Sequence, residues 1–156
     1  MSYATALTQL ISVVEASTPS TKKRGYPKEF THVPSSSNEK LPQERGFWFT
    51  YASGYMVGPM HPTFPHWIRA EMTLSVRYAS DVETEAALDI IMQDYILLAG
   101  RLSNTANWNQ PTSTIQSVNT GDAQQMPFTI DDVEGARILR ISFLLDFKSP
   151  TSGGGF

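Results

Sequence analysis

The chain has 156 residues, 40% hydrophobic, 11% aromatic and 17% charged, with a formal net charge of −3. That length suits one domain able to bury a core without covalent staples, and a charged share below the usual ~25% predicts neutral surface covered by neighbouring subunits. The absence of cysteine excludes disulfide frameworks, thiolate zinc sites and cysteine nucleophiles, and the negative charge argues against a dedicated duplex-DNA binder.

Residues 3–17 read as a helix, because Tyr3, Ala6, Leu7, Leu10, Val13 and Val14 share one stripe at helical spacing. Pro19 ends it through its effect on the residue before it. Residues 18–46 break the pattern. Prolines 19, 27, 34 and 42, the run Ser35–Asn38 and most of the N-terminal basic residues leave no periodicity to support an element, so an extended basic arm or mobile loop is expected. Up to residue 45, Lys22, Lys23, Arg24, Lys28, Lys40 and Arg45 outweigh Glu15, Glu29, Glu39 and Glu44, so the body that follows is acidic.

Phe47–Tyr51 is rich in residues that suit a strand, and Gly54 to Pro65 reads as a connection with Gly58, Pro59 and Pro62 as turn formers. From Trp67 to Tyr78, apolar Ile68, Ala70, Met72, Leu74, Val76 and Tyr78 alternate with Arg69, Glu71, Thr73, Ser75 and Arg77, the mark of a half-buried strand. Ser80–Glu83 has a capping-box pattern and opens a helix to about Leu102, striped by Leu88, Ile91, Tyr95, Leu98 and Leu102. Thr112–Asn119 is a weaker strand. Asp131, Asp132, Glu134 and Gly135 read as a solvated turn, and Arg137–Phe147 alternates again, with Leu139, Ile141, Phe143, Leu145 and Phe147 on one face.

The expected fold is therefore α+β in the order α-β-β-α-β-β, a two-layer domain with a mostly antiparallel four-stranded sheet and two helices on one face. Residues 1–148 would form that single domain, with the basic arm 18–46 extending from it, and 149–156 a flexible Gly-rich tail. The uncovered sheet face would show Arg69, Glu71, Thr73, Ser75, Arg77, Arg140 and Asp146, awaiting water or a partner.

Signals for chemistry are sparse. His61 and His66 lie five residues apart in a proline-broken loop with no adjacent carboxylate, so ordinary loop histidines outweigh a metal site. Asp131, Asp132 and Glu134 lack the spacing of a calcium loop. Glu71 and Asp146 would form a carboxylate pair on adjacent strands, but Arg69, Arg77 and Arg140 share their face and favour ion pairing. No nucleophile elbow, phosphate loop or dinucleotide fingerprint is present. No enzyme, cofactor or metal is expected. The densest basic patch is Lys22, Lys23 and Arg24 with Tyr26 and Lys28, which suits a subunit contact or a solvated arm better than a nucleic-acid contact. No apolar run approaches the ~20 residues of a membrane helix, and Met1–Ala4 lacks the pattern of a signal peptide. An intracellular or virion-type soluble chain follows.

The layout resembles the tail terminator, or tail completion, proteins of long-tailed bacteriophages. It does so through the short N-terminal helix, the Pro-rich loop reaching LPQERGFWFTYASG (41–54), the strand–helix run 68–102 and the late strand ARILRISFLLDF (136–147). The resemblance implies a virion structural protein of the tail or neck region, assembled in the host cytoplasm. It further implies a homo-oligomeric ring, a hexamer in this family, that caps the tail tube and joins it to the head connector. DNA would pass through the lumen without specific binding. The alternative is a small soluble binding module that takes a peptide or nucleic acid through its polar sheet face or its basic arm. Expected contact residues are Lys22, Lys23, Arg24, Tyr26, Lys28, Arg69, Glu71, Arg77, Arg140 and Asp146.

Overall fold

The alternating run that ends at Tyr78 and the one that ends near Phe147 pair with each other as the two longest strands. The computed structural model describes residues 2–19, 30–33, 45–57, 67–79, 84–109, 113–119, 126–133 and 136–148. Their elements are α1 (Ser2–Glu15), β1 (Thr31–His32), β2 (Gly46–Val57), β3 (Trp67–Ala79), α2 (Thr84–Ser103), a 3₁₀ turn (Thr105–Asn107), β4 (Ile115–Asn119), β5 (Phe128–Val133) and β6 (Ala136–Lys148).

The sheet has six strands, not the four expected. Its order is β1-β2-β3-β6-β4, and β5 also pairs with β6. It is mixed, since β1 runs parallel to β2 while the other pairings are antiparallel. The strands curl into a half-barrel rather than lying as one flat layer. Two physical causes are visible. Strands of 12 and 13 residues accumulate the right-handed twist over their length. Irregularities between Tyr51 and Ser53 and between Ile115 and Ser117 add local bending.

The two unexpected strands have separate explanations. β1 lies inside the stretch read as an elementless arm, and two residues are too few to leave a periodic signal. It is held by the Thr31 N–H on the Arg45 carbonyl at 3.2 Å and the Val33 N–H on the Phe47 carbonyl at 2.9 Å. β5 contains Asp131 and Asp132, which suggested a turn. The aspartates are instead cross-strand partners of arginines: Arg140 Nε lies 2.7 Å from Asp131 and Arg137 Nε 3.5 Å from Asp132. Cross-strand ion pairs thus offset the low strand propensity of Asp. Residues 54–57, read as a connection, continue β2.

β6 carries three neighbours. β3 takes one edge, while β5 pairs with residues 136–141 and β4 with 144–147 on the other. The Ser142 N–H bridges the break by donating to the Pro127 carbonyl at 2.9 Å. The core lies where Phe47, Phe49, Met72, Leu74, Ile141 and Leu145 meet Ala6, Leu10 and Val14 of α1 and Ile90, Ile91 and Leu98 of α2. On the opposite face Val33, Trp48 and Ile138 form a small second cluster. That face is therefore covered at one corner by the segment around β1.

Candidate functional site

Among the described residues, polar and recessed chemistry includes a buried triad, the outer sheet face and an aromatic cleft. The first is fully buried. α2 turns Asp94 inward among Ala87, Ile90, Ile91 and Leu98, and its carboxylate meets two side chains from the sheet. Arg45 donates through Nε at 2.7 Å to Oδ2 and through Nη2 at 3.2 Å to Oδ1, a bidentate pair. The Tyr78 hydroxyl donates to Oδ2 at 2.7 Å. Arg45 and Tyr78 have no exposed surface. The Tyr78 phenol is held well above its ordinary value of 10.0, first by burial and then by the Asp94 charge, with Arg45 opposing. Arg45 also caps the Phe30 ring at 5.9 Å and adopts φ 54°, a left-handed conformation that costs a non-glycine residue free energy. Its N–H donates to the Arg77 carbonyl at 2.8 Å, which fixes that backbone in place. The chemistry of the triad is structural. It ties the residue before β2 to α2 and to the end of β3.

The second place is the outer sheet face, which concerns five of the expected contact residues, Arg69, Glu71, Arg77, Arg140 and Asp146. Arg69 and Asp146 face each other across β3 and β6, and Arg69 grips both carboxylate oxygens, at 2.8 and 2.9 Å. Ser117 of β4 adds a donor to the same carboxylate at 3.2 Å. Asp146 is buried, not displayed as expected, because β4 closes over that edge. Ser75, also expected on the exposed face, is buried and accepts from Arg140 Nη1 at 3.2 Å. Arg140 in turn pairs with Asp131. Glu71 is exposed and sits opposite Leu144, two register steps from Asp146, which is paired with Arg69 instead, so the carboxylate pair considered from sequence gives way to an ion pair. Glu71, Thr73 and Ser142 border a shallow hollow of about 290 Å³ near the break between β4 and β5. Arg77 lies opposite Ile138, away from the Arg69–Asp146 pair.

The third place is an aromatic cleft of about 370 Å³ at the open end of the core, lined by Tyr3, Tyr51, Ile68 and Phe147. Tyr3 stands edge-on to Tyr51 at 6.0 Å and tilts against Phe147 at 5.9 Å. Its phenol is raised by burial and by the neighbouring Tyr51. Both tyrosines remain exposed, Tyr51 by about half.

Lys22, Lys23, Arg24, Tyr26 and Lys28 lie outside the described residues, as do the capping box at 80–83, His61, His66 and the tail 149–156. Sequence reasoning missed Arg45 and Asp94. Arg45 was counted with the arm. Asp94 carried a readable signal, since it interrupts the buried stripe of α2 four residues after Ile90 and four before Leu98.

Among the described residues no three His, Asp or Glu side chains cluster as metal ligands would. No helix among them is long and apolar enough to cross a membrane. No protein-family model matches the chain, and no curated protein is found similar to it.

Proposed function

We propose that the chain is a structural virion subunit of the tail-terminator kind, which closes into a ring with copies of itself, caps the tail tube and meets the head connector. One observation carries the reading. The charged groups of the sheet are largely satisfied inside the molecule, by Asp94, Asp146 and Asp131 on Arg45, Arg69 and Arg140, while large apolar side chains lie on the surface at separate places. Tyr3 and Tyr51 form one such place and Met92 and Ile96 on α2 another, with Ile96 68% exposed. Two unlike patches on one chain suit a heterologous, head-to-tail contact, and such contacts close into rings when the rotation permits. A basic arm and an acidic body would help orient successive copies.

The test is negative-stain imaging of the purified chain across concentration. Uniform rings with a central hole support the reading, and particles no larger than one 17.3 kDa chain at every concentration refute it. The hollow beside Glu71, Thr73 and Ser142 favours a second reading, a binding module that takes a polar peptide on the outer sheet face. That module would stay monomeric and lose its ligand on Glu71→Ala.

A further inference from the structure

β2 is twelve residues long, but β1 covers only its first two positions. From Phe49 to Val57, among the described residues, β2 pairs with β3 on one side and with nothing on the other. Thr50, Tyr51, Ala52, Ser53 and Gly54 are all exposed there. A bare edge presents a row of N–H and C=O groups ready to pair with another extended chain, and proteins normally guard it with Lys, Pro or inward charges. Gly46–Val57 contains none of these. Its one irregularity is the register shift between Tyr51 and Ser53.

The opposite end of the sheet holds a second bare edge. Among the described residues β5 pairs only with β6, in an unbroken six-residue register. Arg140 pairs with Asp131 at 2.7 Å, while Asp132, 3.5 Å from Arg137, remains 86% exposed. Six of the nine uncovered β2 residues, Phe49–Gly54, span the length of β5, about 20 Å of strand at ~3.3 Å per residue, with the register shift between Tyr51 and Ser53 inside them. The apolar patches follow the same geometry. Tyr51 belongs to the β2 edge and lines the aromatic cleft. At the other end Phe128 of β5 stacks on Tyr95 of α2 at 4.1 Å, and Met92 and Ile96 are exposed on the turns beside Tyr95.

We propose that the β2 edge of one copy takes the β5 edge of the next as an added strand, which makes the sheet continuous between subunits. The occupant is a second copy because the chain carries two unlike edges, uncovered among the described residues, at opposite ends of one sheet. Each edge is accompanied by an apolar surface. The pairing is heterologous, so every copy both gives and receives an edge. It rests on the reading of the chain as a self-associating subunit and names the surfaces that reading requires.

The absence of cysteine gives a clean background for cross-linking. Full-length Thr50→Cys protein is mixed with Thr129→Cys or Val133→Cys protein and treated with a short bis-maleimide, alongside each variant alone. All three positions are exposed, so the substitutions leave the core untouched. The mixture is expected to shift from 17.3 kDa to a dimer band near 35 kDa on a denaturing gel, while the single variants stay at the monomer position. A dimer of Thr50→Cys with itself would show two-fold β2–β2 pairing and overturn the proposal. Rings that assemble without any cross-link would also overturn it and leave the ring reading standing. Protein that never associates would remove both. Thr50→Lys supplies an independent readout, since a charge on the edge should abolish assembly while the melting curve of the monomer is unchanged.

Discussion

Replacing Asp94 with alanine removes the carboxylate that pairs with the buried Arg45 guanidinium and accepts from the Tyr78 hydroxyl. The carboxylate receives three hydrogen bonds, at 2.7, 3.2 and 2.7 Å, from side chains with no exposed surface. Breaking a buried pair from one side costs about 3–5 kcal/mol, and the loss of the Tyr78 hydrogen bond to Asp94 adds to that figure. Against a total stability of about 5–15 kcal/mol, the loss is about a fifth or more of what holds the domain together. Urea unfolding of Asp94→Ala should show a midpoint lowered in proportion with an unchanged slope, and a melting temperature down by about 6–20 °C. The double variant Arg45→Met with Asp94→Leu removes both charges together. It should be less destabilised than the sum of its single changes, because no charge is left stranded. A loss under about 1 kcal/mol for Asp94→Ala, or a double variant as costly as the sum, would refute the assignment of the triad as a coupled buried unit.

The phenol of Tyr78 makes a related prediction about pH. Its proton is held more tightly in the folded chain than in the unfolded one, so its stabilisation is complete below about pH 10 and is lost as pH rises through the raised folded value. Tyr78→Phe should therefore flatten the fall of the urea midpoint above about pH 10, and an unchanged slope there would contradict the placement. At the half-exposed Arg140–Asp131 pair, Asp131→Asn should change stability by no more than about 1 kcal/mol, with the difference shrinking at high salt. Leu74→Ala, at a site with no exposed surface, should cost about 2–5 kcal/mol by calorimetry. Charge reversal at Lys22, Lys23 and Arg24 should weaken assembly in sedimentation without lowering the melting temperature of the monomer. A lowered value would count against an arm that acts between subunits.

Long periodic segments were readable from sequence, and short or ion-paired ones were not. The alternation from Ile68 to Tyr78 and from Leu139 to Phe147 corresponds to β3 and β6, since each places one face in the core over many residues. β1 is fixed by two backbone hydrogen bonds to the chain around Arg45 and Phe47, and neither leaves a mark on the residue pattern. β5 was hidden by Asp131 and Asp132, whose strand becomes favourable only when Arg137 stands opposite Asp132 and Arg140, opposite Thr129, reaches diagonally to Asp131. With those two strands absent from the expectation, a mostly antiparallel four-stranded sheet with two helices on one face stood in place of a six-stranded mixed half-barrel. The Arg69–Asp146 pair follows from the register once β3 and β6 are known to be neighbours, which is why ion pairing was the better reading of that face. Arg45 and Asp94 lie 49 residues apart and meet only through tertiary packing.

The proposed closed ring of like subunits is tested most directly by the native mass of the full chain as its concentration is raised. The account predicts one species that stops growing at a fixed number of copies, about 104 kDa if six 17.3 kDa chains close the ring. A mass of 17.3 kDa at every concentration, or a ladder that lengthens without limit, would contradict it.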